Sequence, residues 1–227
     1  MSKKKILRVR ADDNTMKKMY SKFSKIMGFI EKSEKSLRNR SLELLNLKNG
    51  DKVLEIGFGR GTALIEISKA VGEKGEVFGI DLTPEMIKIS KQRLAKQGIL
   101  NVRLEEGDAR NLPYKNNYFD VVYISSTLEL FDTPDIPVVL KQIKRVLKPE
   151  GKLGVVSIPK ENREKSFGVR IFEWSHRTFS DYASCRPIYL EDSIRNAGFK
   201  IIRTEVIGIL FPMKIVIANP WMLFLFF

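Results

Sequence analysis

The chain has one cysteine, Cys185, and one histidine, His176, in 227 residues. A lone cysteine excludes an internal disulfide and any paired-cysteine metal site; a lone histidine excludes a zinc site built on imidazoles. No metal is expected. The apolar stretch at the C-terminus falls short of the about 20 residues that cross a bilayer. The first fifty residues are charged throughout, so no signal peptide is expected and a cytoplasmic location follows. Internal repeats and low-complexity segments are also missing. What remains is a chain of single-domain size, with 43% hydrophobic residues to build a core.

The most telling stretch is Val53-Leu54-Glu55-Ile56-Gly57-Phe58-Gly59-Arg60-Gly61. Strand-forming residues run into three glycines at alternate positions, and a helical pattern follows. Gly57 and Gly59 permit dihedrals that side chains forbid and leave room for a ligand. The N–H groups that open the next helix point at the same space. Residues 76–81 read as a second strand ending in Asp81, at the spacing of a ribose-binding carboxylate in a βαβ unit. NAD and S-adenosylmethionine both carry such a ribose, so Asp81 does not separate them; an acid beside a helix start before Pro84 is the plainer alternative. A third strand near 101–106 leads to Glu106-Gly107-Asp108-Ala109, where an acid could meet an adenine amine and a small residue leaves space for the ring.

Taken with Phe119-Asp120-Val121 and Leu147-Lys148-Pro149-Glu150-Gly151, these motifs resemble the class I S-adenosylmethionine-dependent methyltransferases over roughly residues 45–218. A nicotinamide dehydrogenase fits less well, because Thr62 and Ala63 follow Gly61 where GxGxxG would continue. The resemblance implies S-adenosyl-L-methionine as cofactor and S-adenosyl-L-homocysteine as product. Glu55, Gly57, Phe58, Gly59, Gly61, Asp81, Leu82, Met86, Gly107, Asp108, Ala109 and Ser125 are the expected cofactor residues. Within the family the pattern is similar to the ubiquinone/menaquinone biosynthesis C-methyltransferase group. One departure stands out: that group tends to carry an Arg-Asn pair after the fourth strand, and here the residues are Glu129-Leu130.

Strands are expected near 53–56, 76–81, 101–106, 118–124, 151–158, 199–206 and 213–218. Helices are expected near 16–31, 33–45, 61–71, 84–97, 135–147 and 189–197. Such alternation builds a Rossmann-like α/β sheet, doubly wound, with helices on both faces. A short Pro-containing loop makes the seventh strand antiparallel to the other six. The expected organisation is a basic helical extension or lid (1–45), a cofactor-binding domain (46–218) with a substrate-side insertion (159–188), and an apolar tail (219–227).

The net charge is +13, and residues 1–50 hold 14 Lys/Arg against 5 Asp/Glu. The 16–30 segment is a basic amphipathic helix, read either as packed on the domain or as docked on anionic lipid. Tyr20 could sit over the site. The tail suits shallow interfacial insertion or packing against its own core or a second copy. The 159–188 insertion carries Phe172, Trp174, Arg177 and Tyr182 as candidate substrate contacts, or as a helical lid with its own small core. His176 and Glu129 are the candidate general bases; His176 is equally readable as a structural hydrogen-bonder. The expected reaction is methyl transfer to a small apolar or lipid-soluble acceptor, quinol/phenol-type or lipid. The alternatives are a phospholipid or small-amine N-methyltransferase and, lower, an RNA methyltransferase. Residues 124–127, Ile-Ser-Ser-Thr, lack the Asn/Asp-Pro-Pro-aromatic run of exocyclic base-amine methylation. Peripheral contact with an anionic inner membrane face and a monomer or homodimer complete the expectations.

Overall fold

The computed structural model describes residues 6–9, 12–22, 34–178, 185–208 and 210–221. Seven strands form one sheet: β1 (Lys52–Ile56), β2 (Glu76–Asp81), β3 (Val102–Glu106), β4 (Phe119–Ser125), β5 (Leu147–Ser157), β6 (Phe199–Ile207) and β7 (Met213–Pro220). Their order is β3-β2-β1-β4-β5-β7-β6. β7 runs antiparallel to both of its neighbours, and the other pairings are parallel. This is the expected Rossmann-like sheet, six strands in one direction and the seventh reversed.

Helical residues 13–22 (α1) precede α2 (Lys35–Leu45), α3 (Thr62–Val71), α4 (Pro84–Lys96), α5 (Asp135–Val146), α6 (Phe167–Thr178) and α7 (Leu190–Asn196). α1 begins earlier than its apolar spacing predicts, because Asp12 caps it: the Thr15 N–H donates to Asp12 Oδ1 at 2.7 Å. The predicted continuation through 23–31 lies outside the described residues, as do Tyr182 and the last six residues of the tail. α5 stops at Val146, since Pro149 cannot continue a helix. Leu147 instead pairs with Phe119 and opens β5 four residues ahead of the predicted start, with a register shift before Lys152 meets Val121. α6 lies inside what the sequence reading treats as an insertion.

Alternation along the central strands feeds both faces of the sheet. Leu54 and Ile56 of β1, with Val122 and Ile124 of β4, pack under α5 and α7. Val53, Val121 and Tyr123 face the opposite way, toward α2 and α3. Strands buried on both faces are typical of parallel sheets. Tyr123 keeps its hydroxyl satisfied inside the core, 2.7 Å from Ser41 Oγ on α2. The order of crossovers reverses between β1 and β4, so their C-terminal ends diverge and leave a crevice.

Candidate active site

A cavity of about 520 Å³ opens at the C-terminal ends of β1, β2 and β4. Its floor is the glycine turn. Gly57 has φ of +69°, and a Cβ there would lie 2.4 Å from the Thr127 side chain, so both backbone conformation and close approach demand glycine. Gly61 does a different job: it stands before α3 at φ of +75°, against Ser90, and is not on the cavity wall. Its neighbours Arg60 and Thr62 do line the cavity.

Asp81 ends β2 and is nearly buried. One carboxylate oxygen accepts the Gly59 N–H and the other the Thr83 N–H, each at 2.9 Å. Burial pushes its carboxyl above the ordinary value, and these backbone hydrogen bonds oppose the shift. Asp81 itself lines the cavity. Glu55, Phe58, Leu82, Met86, Gly107, Asp108, Ala109 and Ser125 all line the same cavity. Asp108 is more committed than its spacing suggests. It accepts the Arg110 N–H at 2.8 Å and the Arg110 side chain at 2.7 Å.

Arg110 is a residue that sequence reasoning missed. Its guanidinium joins Asp108 to Asp135 at 3.1 Å and to Asp13 of α1 at 2.5 Å. The N-terminal segment thereby becomes a strap over the cavity, with Val9, Asp12, Met16 and Tyr20 on its wall. A second tie fixes the strap: the Arg8 guanidinium and the Val9 N–H both bond Asp132, at 2.8 Å and 3.0 Å. Burial acts to raise the Asp132 carboxyl, but these bonds and the Thr133 N–H outweigh it and hold the group at about 2. Tyr20 is displaced well above its usual range, chiefly by burial.

His176 supplies a third tie and is corrected as a base. It is buried on the inner side of α6, and its Nε2 donates to the Arg8 carbonyl at 2.9 Å. It is not on the cavity wall. The substrate candidates on α6 are corrected as well. Phe172 packs edge-on against Phe211 at 5.8 Å, Trp174 is 60% exposed, and Arg177 is exposed beside Glu173 at 3.8 Å. The reason is helical phase: Val169, Glu173 and His176 take the inner face, which turns Trp174 and Arg177 outward. Glu129 is fully buried between Thr127 and Leu130, which do line the cavity. Ser157 Oγ donates to its Oε2 at 2.8 Å, and Oε1 has no hydrogen-bond partner among the described residues. Burial raises its carboxyl to about 7.

The wall carries eight carboxylate residues (Asp12, Asp13, Glu34, Glu55, Asp81, Asp108, Asp132 and Asp135) against three arginines. In a chain of net charge +13 this is a local inversion. An electronegative cleft concentrates cationic ligands. No helix among the described residues is long and apolar enough to cross a membrane, and no cluster of potential metal ligands occurs among them.

Residues 53–151 match the methyltransferase domain family. A demethylmenaquinone methyltransferase of Staphylococcus saprophyticus is 36% identical over 134 residues, which are 59% of this chain and 55% of that protein. The match thus spans little more than half of the relative's length. A SAM-dependent methyltransferase from Aquifex aeolicus superposes with a TM-score of 0.63 at 26% identity, over 81% of this chain and 89% of that one. The [4+2]-cyclase SpnF superposes at 0.67 with 19% identity, over 82% and 80%, and shares the fold alone.

Proposed function

We propose that this chain is a class I S-adenosylmethionine-dependent methyltransferase that moves a methyl group from that cofactor to a small lipid-soluble acceptor. The observation that carries the reading is the carboxylate-rich cavity over the glycine turn. Its volume suits a ligand of nucleoside–amino acid size. When bound, the cofactor supplies an electrophilic methyl on a positively charged sulfur. Asp81, a carboxylate on the cavity wall, would accept the ribose hydroxyls. Phe58, Met86 and Ala109, all buried, offer apolar surface for an adenine. Glu55 and the neighbouring carboxylates favour the positive charge.

Methyl transfer of this kind is an in-line displacement, so the protein's task is to hold the acceptor atom about 3 Å from the methyl and to exclude water. Met16, Tyr20, Leu37, Leu130 and Phe131 add apolar surface to the cavity wall. Glu129 is also off the cavity wall, but it is the remaining candidate base: a buried carboxyl near 7 between two wall residues, with one oxygen unengaged among the described residues. The quinone-type acceptor is favoured by the demethylmenaquinone methyltransferase relatives. The same acid-rich wall also suits an amine, so a phospholipid or small-amine acceptor is the second reading.

The test is methyl-labelled S-adenosylmethionine incubated with the protein and host extract, fractionated into lipid, RNA and polar small molecules. Label in the lipid fraction is expected, and its release with a quinone rather than a phospholipid headgroup separates the two readings. Label in RNA would overturn both.

A further inference from the structure

The residues that the cavity rejects form a surface of their own. On α6, Phe167, Arg170, Trp174 and Arg177 follow each other at intervals of three and four and are all exposed. They make one outer stripe in which large aromatics alternate with arginines. Phe167 is 64% exposed and Trp174 60%. An outward face on a soluble helix is normally polar. The turn between β6 and β7 packs on another side of α6, where Gly168 sits against the Leu210 carbonyl and Phe172 against Phe211.

The charges on the stripe itself, Arg170 and Arg177, have one sign. Lys165 and Arg170 are exposed, and Arg170 makes no ion pair among the described residues. Among the described residues, Arg177 has only the 3.8 Å approach to Glu173. The nearby carboxylates are turned elsewhere, Glu173 to Lys160 at 2.5 Å and Glu164 to Tyr189. We propose that the outer face of α6 is a docking surface for an anionic lipid bilayer. Aromatic rings seat at the headgroup boundary while arginines meet lipid phosphates. A second copy of the chain fits less well, because a two-fold contact would set this cationic stripe against itself. The inner face of α6 holds the strap through His176, so docking would place the bilayer beside the rim of the cavity.

Co-sedimentation of the purified full chain with vesicles tests this without turnover, so it fails or stands separately from the methyl-transfer reading. The protein is expected to pellet with mixed phosphatidylcholine–phosphatidylglycerol vesicles and not with phosphatidylcholine alone. Combining Phe167→Ala with Trp174→Ala should lower the partition at least about tenfold. Combining Arg170→Glu with Arg177→Glu should lower it about 30-fold or more. All four side chains are exposed, and circular dichroism confirms that each variant is folded. Wild-type binding by both variants would overturn the proposal, even if the protein binds vesicles by another part. So would a wild-type dimer that both variants dissociate, with no vesicle binding.

Discussion

A carboxyl group buried without full pairing should leave a mark on stability, and Glu129 is such a group. Its ordinary value is 4.5, and burial raises it to about 7 in the folded chain. The folded state therefore binds more protons than the unfolded state between those values. Stability contributed by this group is full below about 4.5 and is lost as pH rises through about 7, by roughly 3 kcal/mol. Glu129→Gln should remove that downward slope, measured by urea unfolding across the interval. Parallel slopes in the two proteins would refute the burial argument. Glu129 illustrates which residues a sequence discloses. Gly57, Gly59 and Asp81 announce themselves because a turn and a strand end are local patterns. Nothing local distinguishes Glu129 from a surface acid; its burial comes from Ser157 and β5, 28 residues away.

Among the elements, the strap and α6 are where sequence and structure part. The seven strands and six of the helices are legible from periodicity and punctuation, with ends displaced where Asp12 or Pro149 intervenes. The ties of the strap are not, because they join residues 97 to 168 positions apart, as Arg110 with Asp13 and His176 with Arg8 do. α6 is misleading for a different reason: an aromatic-rich segment is the same string whether its rings line a pocket or face solvent, and only the phase set by Val169 and His176 decides. The ties predict independent motion. Asp132→Ala should speed hydrogen exchange in residues 6–9 and 12–22 while leaving β1 and β4 protected. Its effect on global stability should stay under about 1 kcal/mol, since the Arg8 side chain is 67% exposed. Unchanged exchange in the strap would show that Arg110 and His176 hold it without Asp132.

At the scale of the whole molecule, charge is sorted by place. The chain is strongly basic, its cavity is rich in carboxylates, and the outer stripe of α6 is cationic. A sheet whose crossovers reverse beside β1 opens one crevice, and the glycine turn, Asp81 and the strap converge there. The central claim is that this crevice holds S-adenosylmethionine through Asp81. Titration calorimetry of the full chain with S-adenosylmethionine, beside Asp81→Ala, tests it most directly. One-site binding is predicted for the wild type, weakened at least about tenfold in the variant, as expected when a hydrogen-bonded carboxylate is removed from a ligand. A folded wild type that takes up no S-adenosylmethionine, or a variant that binds it equally well, would contradict the account.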